Sequence, residues 1–353
     1  MPADSASQRE RSAYDRNDDR RSPREDRPPR RERPAKRRRG FGFRLLRALL
    51  IFALIIVVAF GALGWFLWSK IDKVDAIPDD PGSASSEGRV YLLVGSDSRE
   101  ELTEEEQDEL GTGDVSGRRT DTIMLLHLPS DGRPALISVP RDSMVDIPGH
   151  GSGRVNASFA YGGAPLLVET IQNNTGVAID DYVEIGFGGF AGIVDSLGGV
   201  EMCLDDAIQD ERANLDLPAG CQTLDGADAL GFARARYFDP TSDLGRVERQ
   251  RELLGSIADK ALDFGTLLNP VKLFETATSG GDALIIDEDT GPIDMFQFIR
   301  GMGAVTGDGG DTLTVPLGRV GNTVDWDEEL AGQLWTSLQE GTGVPDAVLD
   351  AQE

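Results

Sequence analysis

Histidine and cysteine are nearly missing from this chain of 353 residues, which has two of each: His127, His150, Cys203 and Cys221. So few imidazoles and thiols exclude a zinc site built from Cys and His. There is no GxxxxGK[ST] phosphate loop and no G-x-S-x-G elbow, which removes two common routes to phosphate and ester chemistry. Gly186-Phe187-Gly188-Gly189 reads as a turn, and His127, inside an apolar strand, as a structural histidine. Basic residues are scarce from residue 48 onward, where 19 Lys and Arg face 53 Asp and Glu, a net charge of −34. A surface that acidic repels polyanions, so no nucleic-acid partner is expected. Residues 1–40 have almost no large apolar side chains and many Arg, Pro, Asp and Ser. They cannot bury enough surface to offset chain entropy and are expected to be disordered.

What the chain does contain begins with Ala48–Trp68, 21 residues without a charge. At 1.5 Å per residue a helix of this length spans a hydrocarbon core of roughly 30 Å. The run is too long, and too far from the N-terminus, for a signal peptide. Trp65 and Trp68 suit an interfacial belt. Arg30 to Arg47 holds nine Lys or Arg, whereas Lys70 and Lys73 are offset by Asp72, Asp75, Asp79 and Asp80. The positive-inside rule then puts the N-terminus in the cytoplasm and the remainder outside. The expected organisation is a cytoplasmic Arg-rich tail (1–47), a transmembrane helix (48–68), a linker (69–88) and an extracytoplasmic domain (89–345). In an oxidising compartment Cys203 and Cys221 form a disulfide closing a 19-residue loop; the alternative is two buried free thiols.

Beyond the linker the pattern is α/β. Strands are expected at Arg89–Val94, Thr122–Leu128, Ala135–Val139, Tyr182–Ile185 and Val200–Leu204. The turn Pro129 to Pro134 suggests a hairpin between the second and third of these. Helices are expected at Pro165–Asn174, Ala191–Leu197, Leu224–Phe232 and from Asp243 to about Leu262, with Arg234–Tyr237 extended. Residues 100–117 carry eight acidic side chains and read as a solvated loop or short surface helix. The result is one domain of about 260 residues with alternating strands and helices.

Against the acidic background, five arginines fall between Arg234 and Arg251. Guanidinium groups match phosphate oxygens and stay charged at any working pH. Arg234 and Arg236 share one face of an extended segment, and Arg246, Arg249 and Gln250 share one face of the following helix. The competing reading is salt bridging to nearby carboxylates, which suits Arg251 beside Glu248 or Glu252. Further charged groups sit at strand ends: Asp97 after the first strand, Arg119 and Asp121 before the second, Arg141 and Asp142 after the third. Such termini are where α/β folds build ligand crevices. Asp97 and Asp121 suit Mg²⁺, which takes one or two carboxylates plus phosphate oxygens. Arginines and a metal together neutralise charge in phosphoryl transfer, although the same set also describes an inert anion site.

The segments LLVGSDSR (92–99), RRTDTIMLLHL (118–128), SVPRDS (138–143), NASFAYGG (156–163), VDSLGGVEM (194–202) and LDGADALGFARARYFDPTSDLGRVERQRELL (224–254) together resemble the LytR-CpsA-Psr family. The match covers about residues 89–262, and the order, spacing and preceding apolar run agree with it. The Arg-rich tail and paired cysteines look like actinobacterial members, for which arabinogalactan is a typical polymer. The resemblance implies a central mixed β-sheet flanked by helices in a single extracytoplasmic domain. It also implies a phosphotransferase that joins a polyprenyl-pyrophosphate-linked glycopolymer to peptidoglycan through a phosphodiester and releases polyprenyl phosphate. By matching positions, Asp97, Arg119, Asp121 and Arg141 inherit catalytic roles, and Asp97 and Asp121 hold Mg²⁺ or Mn²⁺. Arg119, Arg141, Arg234, Arg236, Arg246 and Gln250 bind pyrophosphate. Arg154 stands near a position where the family often has Lys, and Thr120 where Ser or Ala is commoner. The expected partners are the lipid-linked glycopolymer, peptidoglycan and membrane lipid. A prenyl chain further requires an elongated apolar pocket opening at the arginines, walled by the helices around Phe187–Leu197 and Leu253–Leu262. The rival functions are a non-catalytic polyprenyl-pyrophosphate-binding regulator and a pyrophosphate hydrolase.

Overall fold

The structure, a computed structural model, describes residues 41–78, 82–97, 120–210, 213–235, 243–263, 278, 283–306 and 309–352. The acidic stretch 100–117 and the tail 1–40 lie outside the described residues. In chain order the elements begin with α1 (Phe41–Trp68), β1 (Asp72–Val74), β2 (Arg89–Ser96), β3 (Thr120–Leu128), β4 (Ala135–Ser138), β5 (Met144–Ile147) and β6 (Gly151–Arg154). There follow α2 (Val155–Thr175), β7 (Asp181–Gly186), α3 (Phe187–Ser196), β8 (Val200–Leu204), β9 (Ile208–Asp210), β10 (Leu215–Leu217) and β11 (Gly220–Leu224). The rest are α4 (Gly226–Arg234), α5 (Asp243–Leu262), β12 (Leu284–Asp287), α6 (Pro292–Thr306), β13 (Asp311–Thr314), β14 (Leu317–Val320), β15 (Val324–Trp326), α7 (Glu328–Gln339) and α8 (Asp346–Asp350).

The chain divides into two units, Met1–Val57 and Val58–Glu353. In the first unit the described residues are helical, and Leu49, Leu50, Phe52, Leu54 and Ile55 are all exposed. Over the described residues alone, no helix is long and apolar enough to cross a membrane. The side chains of several α1 positions, among them Ala53, Ile56 and Val57, lie outside that description.

The second unit is built on a seven-stranded mixed sheet in the order β1-β12-β7-β2-β3-β4-β13. β2 is central, parallel to β7 and antiparallel to β3. Its run Val90-Tyr91-Leu92-Leu93-Val94 is apolar at every position because both faces are covered. Side chains alternate across the strand. Leu92 and Val94 join Ile123, Leu125 and Ile137 in a layer packed with Leu167 and Ile171 of α2 and Leu334 and Trp335 of α7. Tyr91 and Leu93 join Met124, Leu126 and Leu136 on the other face, with Ala258 of α5 and Met295 and Phe298 of α6. A separate core gathers Val194, Val200, Met202, Leu224, Phe232 and Leu253 from α3, β8, β11, α4 and α5.

Several local expectations are corrected. Gly186–Gly189 is not a turn: α3 starts at Phe187, and Gly189 lies so close to Ala283 that a Cβ would come within 2.6 Å. That glycine permits close packing rather than a bend. The helix expected from Pro165 begins ten residues earlier, at Val155, and is broken at Gly163 (φ 66°), which leaves Pro165 in the first turn of its second segment. Arg234 is not extended but ends α4, with Ala235 turning out to φ −60° and ψ 136°. The β5–β6 hairpin has no strong periodic signal and was not expected. Part of the expected linker is structural: β1 pairs with β12, and the buried Asp287 carboxylate accepts the backbone N–H of both Ala76 and Ile77 at 3.0 Å. At the other end α8 extends the domain past residue 345, burying Val348.

Cys203 and Cys221 face each other across the antiparallel β8–β11 pair and are joined by a disulfide. Its reduction in the intact chain is expected to lower stability by roughly 3 kcal/mol without altering turnover. Free-thiol mass spectrometry beside a melting curve checks both halves. His127 pairs across the sheet with Val90 and Ala135 and is wholly buried. Burial pushes its imidazole down to about 4, opposed in part by the Glu87 backbone. The ring is therefore neutral in the folded chain, whereas in the unfolded chain it titrates near 6.5. Its contribution is complete above that value and lost as pH falls toward 4, at up to about 1.4 kcal/mol per pH unit. Denaturant titrations from pH 7 to 4.5 should show a shallower acid loss for His127→Leu. Equal slopes would place the acid sensitivity elsewhere.

Candidate functional site

The site is built where the β2–β3 ladder breaks. Gly95 pairs with Thr122 and Ser96 with Thr120, so two residues of β2 face three of β3 and Asp121 is the extra one. A bulge of this kind re-aims the side chain it carries. Two features hold it. The buried Thr120 hydroxyl shares its single proton between the carbonyls of Gly95 (3.1 Å) and Thr122 (2.9 Å). At Gly95 an added Cβ would lie 2.9 Å from the Thr122 Cβ, so only glycine allows the strands this close. Asp97 follows directly at the end of β2.

β4 runs antiparallel to β3 and delivers its exit to the same end of the sheet. There the backbone turns sharply, with Ser143 N–H donating to Pro140 O at 2.9 Å. The turn brings the Arg141 guanidinium onto the Asp121 carboxylate in a close ion pair. Arg141 Nε also reaches Asp142 Oδ2 at 3.4 Å, and Asp142 Oδ1 reaches Arg154 Nη1 at 3.2 Å. Arg154 Nη2 in turn donates to Asn322 O at 3.1 Å. Charges alternate from Asp121 through Arg141 and Asp142 to Arg154, each fixing the next. Asp142, noted from sequence at the strand end but given no site role there, is the member that bridges the two arginines.

The third approach comes from β7, whose Gly186 pairs with Ser96 of β2. Phe187 follows at the same sheet end, and the Arg234 guanidinium lies over its ring, 5.0 Å from the centroid. The Asp225 carboxylate caps α4 by accepting Asp228 N–H, which sets where Arg234 emerges. Phe187, expected only as part of a pocket wall, carries a contact with Arg234 that the sequence reading did not name.

Two other arginines of the 234–251 cluster serve the scaffold. Arg249 is buried and donates from Nη2 to Ala235 O at 2.9 Å, tying α5 to the end of α4. Arg251, for which pairing with Glu248 or Glu252 was the competing reading, reaches the sheet, donating to Ser138 Oγ (3.1 Å) and Thr314 Oγ1 (2.7 Å). Arg119 and Arg236 lie outside the described residues, as do the side chains of Arg246 and Gln250 on α5. Among the described residues no group of three or more His, Cys, Asp or Glu forms a metal cage.

The LytR_cpsA_psr family model matches residues 69–322, a stretch that contains every site residue just described. The chain belongs to the LytR-CpsA-Psr family. It is 43% identical over 281 residues to a probable cell wall biosynthesis protein, LcpB, of Corynebacterium glutamicum, covering 77% of this chain and 66% of that protein. It is 35% identical over 195 residues to the polyisoprenyl-teichoic acid–peptidoglycan teichoic acid transferase TagT of Bacillus subtilis, covering 53% and 56% respectively. The chain thus spans just under two thirds of LcpB and less of TagT. Among solved structures, a LytR-Csp2A-Psr enzyme from Actinomyces oris shares the fold, with a TM-score of 0.61, 23% identity, and coverage of 76% of this chain and 96% of that one. The mixed α/β sheet expected from the LytR-CpsA-Psr resemblance is the one observed.

The bulge makes a direct prediction. Gly95→Ala should cost about 1–3 kcal/mol by forcing the ladder apart at Thr122. Gly192→Ala on α3, where a Cβ meets nothing within 4 Å, should be neutral or stabilising by up to ~1 kcal/mol. Melting curves of the two variants compare them, and equal shifts would remove the steric argument for Gly95.

Proposed function

We propose that this chain is a membrane-tethered phosphotransferase that moves a glycopolymer from a polyprenyl pyrophosphate carrier onto peptidoglycan. The observation that carries the reading is the convergence of Asp97, the Asp121–Arg141 pair and Arg234 at one end of the sheet in an otherwise acidic domain. Family membership and the teichoic acid transfer for which TagT is named support the same chemistry. A cell-wall polymer is the natural cargo by analogy with LcpB.

In this mechanism the guanidinium groups of Arg141 and Arg234 bind the pyrophosphate, with Arg119, Arg236, Arg246 and Gln250 assigned to it by their motif positions. A sugar hydroxyl of peptidoglycan attacks the phosphorus on the glycopolymer side. The new P–O bond forms as the bond to the bridging oxygen breaks, and polyprenyl phosphate leaves with that electron pair. One of the two carboxylates, Asp97 or Asp121, takes the hydroxyl proton. Donors already aimed at the phosphate oxygens stabilise charge as it develops, without reorganisation. The pair of carboxylates fits Mg²⁺ or Mn²⁺, since Mg²⁺ binds through one or two carboxylates and completes its shell with phosphate and water. When bound, the ion would neutralise part of the pyrophosphate charge.

The donor carries its own activation, so no ATP is needed outside the cell. Its prenyl chain lies in the bilayer, which accounts for the tether. Supporting the tether are the uncharged sequence Ala48–Trp68 within α1 and the nine basic residues before it, which by the positive-inside rule favour a cytoplasmic N-terminus. The prenyl chain is assigned to the region of α3 and α5, next to Arg234.

The test is turnover of a polyprenyl-pyrophosphate glycopolymer by the full chain, with and without peptidoglycan. Polyprenyl phosphate should appear only with the acceptor, and Arg141→Ala should abolish it by removing a charged hydrogen bond worth about 1.5–3 kcal/mol before the transition state. Affinity should rise with each prenyl unit until the pocket is full, at roughly 25 cal/mol per Å² buried. Release without acceptor would make the chain a hydrolase, and binding without release a capture module.

A further inference from the structure

The motif NASFAYGG contains an aromatic residue that the transfer mechanism leaves unused. Tyr161 is 60% exposed, an unusual cost for so large an apolar ring. It is also held still. His150 stacks on it with centroids 4.6 Å apart and planes 15° from parallel. The two rings come from different elements. His150 sits in the β5–β6 turn, where its N–H donates to Ile147 O at 2.9 Å and Gly149 and Gly151 take positive φ. Tyr161 closes the first segment of α2, just before the break at Gly163. Ala160 and Gly162 on either side are exposed and small.

We propose that the His150–Tyr161 stack is a sugar platform that seats a pyranose ring of the acceptor glycan. The axial C–H groups of a sugar carry partial positive charge and meet the electron-rich face of an aromatic ring favourably. A rigid ring loses little entropy on binding. Position favours the acceptor. α2 begins right after Arg154, the last charge in the series from Asp121, and its rise sets Tyr161 about 10 Å further along the axis. That is about the length of a disaccharide beyond Arg154, and a glycan strand presenting one hydroxyl for attack needs a second point of support. The assignment to the acceptor rests on the transfer reading; sugar binding itself does not.

Calorimetric titration of the full chain with an N-acetylglucosamine tetrasaccharide tests this without turnover. Tyr161→Ala should weaken binding at least fivefold while Tyr161→Trp keeps it. If Tyr161→Ala disturbs the hairpin, Tyr161→Leu decides, since it keeps apolar bulk without a ring and must also lose binding. A stack that only staples the hairpin to α2 would lower the melting temperature and leave affinity unchanged, which would overturn the platform. So would a wild-type chain that does not bind the tetrasaccharide at millimolar concentration. Equal binding of maltotetraose would overturn the acceptor assignment. Failure of donor turnover with sugar binding intact would count against the transfer reading alone.

Discussion

The antiparallel register of β2 on β3, and its single interruption at Asp121, is the constraint on which the site depends. A strand pair with no bulge would send alternate residues to opposite faces and bury half of any polar set in the sheet's core. The extra residue frees one carboxylate from that alternation at the rim. Thr120 and Gly95 keep the irregularity in place, one by satisfying carbonyls that the broken ladder leaves open, the other by having no side chain. The sheet's order then does the rest. With β7 on one side of β2 and β3 and β4 on the other, Phe187 and Arg141 arrive at the same rim from opposite directions.

Charge is arranged on two scales. The domain is strongly acidic overall, while the rim alternates carboxylate and guanidinium from Asp121 to Arg154. Partly exposed ion pairs contribute little to stability, so the series is better understood as positioning. Arg141 touches two carboxylates and Asp142 touches two arginines, which restricts long side chains that would otherwise sample many rotamers.

The second cluster, between α3, α4, α5 and the β8–β11 pair, is separate from the two layers on the main sheet. It is clipped by the domain's disulfide and supports the helix end from which Arg234 emerges. Arg249 and Arg251 extend the same support by tying α5 to Ala235 and to the sheet hydroxyls of Ser138 and Thr314. Arginine is used here in two ways within 18 residues: Arg249 and Arg251 tie α5 to the backbone and the sheet, while Arg234 lies over the Phe187 ring.

Much of this was legible in the chain. Apolar runs in β2 and β3, the hairpin to β4, the start and end of α5 and the cysteine pair follow from local pattern, because burial on both faces and helical periodicity write themselves into sequence. The site residues Asp97, Asp121, Arg141 and Arg234 stood out as charges at strand and helix ends. Their partners did not. Nothing local says that Asp121 occupies a bulge, that Asp142 bridges two arginines, that Phe187 underlies Arg234, or that Arg249 faces inward while Arg234 does not. Those depend on contacts across tens to more than a hundred residues, as when Arg251 meets Ser138 113 positions away. The sequence by itself determined the central strands, the main helices, the charge divide and the family. Tertiary structure alone decided which arginines bind the protein and which face outward, because a guanidinium's role depends on the acceptors that the packed sheet and helices bring within 3 Å of it.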